Sequence, residues 1–277
     1  MDRIDVEGAQ LSALALGPAD AQPVVMLHGL VSGNMASWYS AIASPLAAEH
    51  RVLIYDQRGH GDSSLPAAGF DLEQQARDLQ AVLTFYGLGT TPVDVVGHSM
   101  GALIALHYAL GQPQRVQRLV LVDAPMPACD YVAPSLAGVR SREALADYID
   151  QHLAAATGLK GRRRERLHQR LAALFFESTL MQDVQAMSAE PDAALAALDL
   201  PVLLVYGQRS PCLAAGQHLA RALPQAQLCL VEGGHYLPEE APEALRVQLQ
   251  RFLALPPGDH QAVAAIRDVR DGVALPF

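Results

Sequence analysis

The sharpest chemical signal in the chain is Gly97-His98-Ser99-Met100-Gly101. It follows a short apolar run and opens a long apolar one, the strand-then-helix setting that a nucleophile elbow needs. A strand that turns at once into a helix holds its serine in a strained backbone conformation. Small residues on either side let the two segments pass closely, and Oγ then projects past the end of the strand. The backbone N–H of Met100 falls at the start of the helix, where it can face an oxyanion. A serine hydroxyl is a weak nucleophile and requires a base within hydrogen-bond reach. Ten histidines compete for that role. His28 and His98 flank glycine-rich turns and are read as making local hydrogen bonds. His50, His152, His168, His218 and His260 fall on polar faces or in loops. His235, in Gly233-Gly234-His235, follows the last apolar strand and is taken as the base.

The elements that must position these residues alternate through the first half of the chain. Strands are expected at Ile4–Val6, Gln10–Leu16, Pro23–Leu27, Arg51–Tyr55, Pro92–Val96 and Arg118–Val122. Helices are expected at Met35–Ala48, Leu72–Tyr86 and Met100–Leu110. The nearly all-apolar strands are those of a buried parallel sheet. From about 125 to 199 the rhythm breaks into helical patterns only: Ala144–Ala156, Arg162–Phe176 and Leu180–Met187. It resumes with strands at Pro201–Tyr206 and Gln227–Val231 and helices at Leu213–Leu223 and Pro242–Leu253. The expected fold is therefore α/β: a mostly parallel central sheet flanked by helices, with a helical insertion. The core comprises 1–124 and 200–255, the insertion 125–199 and a C-terminal tail 256–277.

Composition sets the class. Hydrophobic residues make up 51% of the 277, enough for a buried core, and no apolar run reaches the roughly 18 residues of a membrane span. A formal charge of −9 argues against nucleic acid as a partner. The opening MDRIDVEGAQL carries acidic residues where an export signal needs a basic and then an apolar stretch. Cys129, Cys212 and Cys229 are odd in number, widely spaced and match no metal or redox motif. The expectation is a cytoplasmic protein that needs no metal or organic cofactor.

Four stretches, in order, resemble the α/β-hydrolase superfamily: His28-Gly29-Leu30 after a strand, Asp56-Gln57-Arg58-Gly59-His60-Gly61-Asp62-Ser63, the elbow, and Gly233-Gly234-His235. The resemblance covers about 23 to 254. It implies a triad in the order serine, acid, histidine, and an oxyanion hole from the backbone N–H groups of Met100 and Leu30. It also implies that the inserted helices cap the active site and that Asp56 braces its loop. The family's usual acid position, after the strand that follows the cap, reads Gly207-Gln208-Arg209-Ser210-Pro211, with serine where aspartate is expected. No carboxylate lies between Leu200 and Val231. Some members take the acid from the end of the strand before the cap, which here reads Leu121-Val122-Asp123. Asp123 is accordingly the favoured acid, with Glu232 as alternative and a water or a cap carboxylate as the remaining source.

Other features have two readings each. Met35 and Trp38 either line the acyl pocket or pack the core, and Tyr236 is placed to touch substrate. Lys160, Arg162, Arg163, Arg164, Arg166 and Arg170 crowd one segment against Glu165 alone. They form either a solvated helix face or a dock for an anionic partner such as a coenzyme A phosphate, a carrier protein or an acid substrate. The tail's apolar end, Val273-Ala274-Leu275-Pro276-Phe277, folds back, packs on a partner or stays loose. The functional reading is a serine hydrolase of a carboxylic ester or thioester, acting on a small acyl substrate, free or carried, through an acyl-Ser99 intermediate. The first alternative keeps the three residues for carbon–carbon cleavage, elimination or acyl transfer. The second is a non-enzymatic small-ligand receptor.

Overall fold

A computed structural model describes residues 1–30, 33–126, 139–154 and 160–255. The tail 256–277 and the first part of the expected cap, 127–138, lie outside the described residues. The strands are β1 (Asp2–Val6), β2 (Ala9–Leu16), β3 (Pro23–Leu27), β4 (Arg51–Asp56), β5 (Val93–His98), β6 (Val116–Val122), β7 (Val202–Gly207) and β8 (Ala226–Val231). They form one sheet in the order β1-β2-β4-β3-β5-β6-β7-β8. The pairs β1–β2 and β2–β4 are antiparallel, and all other neighbours are parallel. Parallel neighbours need a crossover, so helices must lie on both faces.

The period of two decides which side chain meets which layer. Val25, Leu27, Val95, Leu119, Leu121 and Leu204 point to one face. There they join the helices Leu72–Phe85, Met100–Gly111 and Leu213–Ala222 in one apolar cluster. Val24, Met26, Val96, Val120, Val122 and Val205 point to the other, against Trp38, Ile42, Leu46 and the helix Pro242–Leu253. Among the described residues, the helices between β6 and β7 are Arg142–Tyr148, continued by a π-turn, then Gly161–Phe176, Leu180–Ala186 and Asp192–Ala196. Their Leu145, Leu171, Leu174, Phe175 and Leu195 belong to the first cluster, continuous with the sheet's own core.

The helix expected over Met35–Ala48 is broken. Ala36–Trp38 and Ser44–Leu46 are α-helical, and Tyr39–Ala43 is a π-turn in which the Ser44 N–H reaches the Tyr39 carbonyl. Pro45 supplies the cause: it has no N–H to give the carbonyl four residues back, and its ring crowds that carbonyl, so the preceding turn widens. The apolar spacing survives, since Trp38, Ile42 and Leu46 are all buried.

Candidate active site

The parallel arrangement puts the carboxyl ends of β5, β6, β7 and β8 along one edge of the sheet. Ser99, Asp123, Ser210 and His235 all leave from that edge.

Ser99 links β5 directly to the helix Met100–Gly111. Its backbone is at φ 53° and ψ −117°. Among the described residues, Ser99 and Asp123 (φ 48°) are the non-glycine positions with positive φ. Such conformations cost roughly 1–3 kcal/mol each and persist only where the surroundings enforce them. Here they are enforced by hydrogen bonds from the Ser99 N–H to the Val122 carbonyl at 2.9 Å and from the Asp123 N–H to Val205 at 2.8 Å. The elbow glycines are steric requirements. A Cβ at Gly97 would fall 2.2 Å from the Gly101 carbonyl oxygen, and one at Gly101 would fall 2.5 Å from that of Leu27.

The His235 ring joins the two strained residues. Its Nε2 lies 2.9 Å from Ser99 Oγ and its Nδ1 2.9 Å from Asp123 Oδ1. Burial opposes a charge on this ring. The hydrogen bond and negative charge of Asp123, with Cys212 beside it, outweigh burial and hold His235 above its ordinary 6.5. His98 donates from Nε2 to the His235 carbonyl at 2.8 Å. Burial, then the neighbouring His235, push His98 down to about 4, so it stays neutral. Glu240 clamps the same loop, accepting from the Gly234 N–H at 2.6 Å and the Tyr236 N–H at 3.1 Å.

Asp123 is fully buried. Besides His235, its Oδ1 accepts from the Ser210 hydroxyl, and its Oδ2 accepts from the Gly207 N–H at 2.8 Å. Ser210, at the position where the resemblance places an acid, is thus a donor to the acid on the neighbouring strand. Its Oγ in turn accepts from the Cys212 N–H at 3.0 Å. Glu232, the alternative acid, is 85% exposed and faces Arg209 at 3.7 Å.

Met100 follows Ser99 directly, and Leu30 follows Gly29, which packs on Ser99. Met100 begins its helix, so its N–H is one of those left without an acceptor one turn back. Gly29 lies against Ser99, since a Cβ there would be 3.3 Å from the serine Cβ. His60 Nε2 donates to the Leu30 carbonyl at 2.6 Å, and His28 Nε2 accepts the Gln57 N–H at 3.0 Å, so two buried histidines brace this loop. Asp56 braces the next one, with Oδ1 on the Met35 N–H and Oδ2 on the Asp62 N–H, both at 2.7 Å. Met35 and Trp38 are buried in the second apolar cluster, so of their two readings packing accounts for the placement. Tyr236 is half-buried and meets the His235 ring edge-on, with centroids 5.2 Å apart. Its hydroxyl hydrogen-bonds Tyr148 of the inserted helices; burial first, and that partner next, raise its pKa.

A mostly apolar pocket lies along the helix that follows Ser99, lined by Leu103, Leu106, Pro125, Met126, Leu195 and Leu219 among others. On the basic helix, Lys160, Arg162, Arg166 and Arg170 are exposed, while Arg164 forks onto Asp150 with both distances 2.6 Å. Sequence reasoning did not find Ser210 as a donor, the reach of His98, the Glu240 clamp, Tyr148 or Cys212. Ser210, His98, Tyr148 and Cys212 each act across tens of residues of chain with no local motif, whereas Glu240 reaches back only four to six residues. The glutamate shortly after Gly233-Gly234-His235 was the nearest thing to a signal. Among the described residues no helix is long and apolar enough to cross a membrane.

Residues 22–242 match the family described as alpha/beta hydrolase fold. The "Magnesium-chelatase 30 kDa subunit" of Rhodobacter capsulatus is 30% identical over 252 residues, 83% of this chain and 86% of that protein. The "Putative carbamate hydrolase RutD" of Pseudomonas savastanoi pv. phaseolicola is 32% identical over 232 residues, 78% of this chain and 88% of that protein. The protein of the same name in Variovorax paradoxus reaches 42% over only 111 residues, 39% of this chain and 40% of that protein. Among solved structures, the esterase RhEst1 from Rhodococcus sp. ECU1013 has a TM-score of 0.74 at 23% identity. The match covers 91% of this chain and 97% of that one, a likeness of fold.

Proposed function

The chain belongs to the alpha/beta hydrolase fold family, and from that premise we propose that it is a serine-dependent hydrolase of carboxylic esters or thioesters. The observation that carries this reading is the continuous chain Ser99–His235–Asp123, with both links at 2.9 Å. Ser99 Oγ attacks the carbonyl carbon while His235 Nε2 takes its proton. Asp123 holds the ring hydrogen at Nδ1, which leaves Nε2 free to accept, and it stabilises the imidazolium that forms. The Met100 and Leu30 N–H groups receive the oxyanion. His235 returns the proton to the leaving group. A water deprotonated by the same ring then releases the acyl group from Ser99. The helices between β6 and β7 act as a cap, tied to the His235 loop through Tyr148 and Tyr236.

The substrate class rests on the carbonyl chemistry of this site. The name of the RutD relative widens it to carbamates, whose carbonyl carbon is attacked in the same way. The exposed Lys160, Arg162, Arg166 and Arg170 suit an acyl group delivered on an anionic carrier. The test is a screen of esters, thioesters, lactones and carbamates by acyl length, with Ser99→Ala as blank and a fluorophosphonate to label Ser99. Turnover that disappears in the variant supports the reading. Turnover that persists in Ser99→Ala overturns it. A second reading, non-hydrolytic use of the same three residues, has one specific support: a relative named for magnesium chelatase matches over most of both chains. Labelling of Ser99 with no hydrolysis of any substrate in the screen would favour it.

A further inference from the structure

Cys212 is buried behind the ring that the mechanism uses and has no part in the chemistry above. Its Sγ lies 3.7 Å from His235 Nδ1, the nitrogen that also meets Asp123 Oδ1 at 2.9 Å. A thiol, an imidazole nitrogen and a carboxylate oxygen within 4.8 Å of one another are the donor set that zinc prefers. With zinc–ligand bonds of about 2.0–2.3 Å, the donors of a tetrahedral site stand roughly 3.3–3.8 Å apart. The 3.7 Å between Cys212 Sγ and His235 Nδ1 already falls in that range, the 2.9 Å between His235 Nδ1 and Asp123 Oδ1 must open, and the third pair, within 4.8 Å, must close. The three residues leave the ends of β6, β7 and β8, so no spacing in the sequence announces them: 112 residues separate Asp123 from His235, and 23 separate Cys212 from His235.

We propose that Asp123, Cys212 and His235 form an inhibitory site for a soft divalent cation such as zinc. The resting arrangement needs no cation, because Asp123 is already paired with His235, Ser210 and Gly207. Binding is a competition for Nδ1. The Cys212 thiol loses its proton to solvent and the thiolate gives an electron pair to the metal. The ring hydrogen leaves Nδ1, whose lone pair also goes to the metal, and the neutral ring carries its hydrogen at Nε2 instead. One proton is released per cation when the ring starts neutral and two when it starts protonated, and nothing is oxidised or reduced. The ring then presents an N–H to Ser99 Oγ, so it cannot accept the serine proton. This is the wrong tautomer, locked by a metal. The approach is through His235, whose side chain is 21% exposed, while Asp123 and Cys212 are buried beneath it. A fourth coordination position remains for water.

The existence of this site does not depend on the hydrolytic reading, but its effect on turnover does, so the test reads both. Co²⁺ is titrated into the whole protein and the near-ultraviolet thiolate-to-cobalt band is followed. Zn²⁺ inhibition is measured in parallel on the best substrate of the acyl screen. The wild type, Cys212→Ala and Cys212→Ser are compared, each against its own metal-free rate. The expected result is a one-to-one cobalt band in the wild type only. The half-inhibiting Zn²⁺ concentration rises more than about tenfold in both variants, and a chelator restores the wild-type rate. Equal inhibition in all three proteins, or no cobalt band in the wild type, overturns the proposal. A wild-type band lost in both variants, in a protein that hydrolyses nothing without metal, upholds the site and counts against the hydrolase reading alone.

Discussion

Two aspartates are buried on the same pair of strands, at opposite ends. Asp94 lies near the start of β5, directly across from Arg118 near the start of β6. Asp123 follows the last residue of β6. Both have no exposed surface. Asp94 is gripped by a two-pronged guanidinium, at 2.7 and 2.6 Å, and Arg118 continues to the carbonyls of Leu253 and Leu255, both at 2.7 Å. That partner is permanently charged, and the pair fastens the helix Pro242–Leu253 to the sheet. Asp123 has no permanent cation. It has one backbone N–H, one hydroxyl and one imidazole that gains and loses a proton. Equal burial therefore serves two ends. At the amino edge of the parallel strands a buried carboxylate meets a fixed charge and holds the fold. At the carboxyl edge it meets a titratable ring and waits for a charge to form.

The comparison breaks first at Asp123→Asn. The amide oxygen keeps the Gly207 N–H while its NH2 turns to Ser210 Oγ and the His235 ring, so folding and the melting temperature should change little. The ring loses its tautomer control, and turnover should fall on the order of 10⁴-fold. Turnover within tenfold of wild type would move the acid elsewhere. Asp94→Asn should give the opposite pattern. Arg118 stays buried without its counter-charge, a loss of about 3–5 kcal/mol by denaturant unfolding, while kcat of the folded fraction is retained. If Asp94→Asn abolished turnover in protein that remained folded, the two ends would not divide the work as described.

The two ends also differ in how far they could be read from sequence. Ser99 and His235 were legible because each sits in a local signal: a strand, glycines and a helix around the serine, and a glycine pair after the last strand before the histidine. Asp123 was legible only by elimination, because Ser210 stands where a carboxylate was expected. What Ser210 does was not legible. Its hydroxyl reaches a residue 87 positions earlier, and only the pairing of β6 with β7 brings them together. The same holds for Arg118 with Asp94, and for His98 with the His235 carbonyl, 137 positions on. The helical spacing of Trp38, Ile42 and Leu46 located an element but not its π-turn, which depends on the single missing N–H of Pro45. Periodicity reports burial faces; it carries no record of which strand ends become neighbours.

The titrating partner gives a sharper test than loss of activity. In the proposed mechanism His235 must be neutral to accept the serine proton, and Asp123 holds it above its ordinary 6.5. The rate kcat/KM should therefore fall as pH drops through a value above 6.5, with an acid limb that is a single protonation. In Asp123→Asn the anion is gone and burial is opposed by Cys212 alone, so the limb of the residual activity should move to lower pH. A limb that stays in place would mean that another group sets the charge of the ring.

The smallest effect belongs to Ser210→Ala. Asp123 keeps the Gly207 N–H and His235 but loses the hydroxyl donor, and the Cys212 N–H loses its acceptor. A hydrogen bond to a charged group contributes about 1.5–3 kcal/mol, and here the loss falls on the orientation of the carboxylate, so kcat should drop about tenfold or somewhat more. The pH profile gives the sign. With one donor fewer, the carboxylate is more negative towards the ring, and the acid limb should shift up, opposite to Asp123→Asn. The same substitution at the arginine-held end has no counterpart, because no hydroxyl shares Asp94 with its cation. If Ser210→Ala lowers stability and leaves both kcat and the limb untouched, Asp123 behaves as Asp94 does, and the distinction between the two ends of the strands fails at the residue that takes the place of the missing acid.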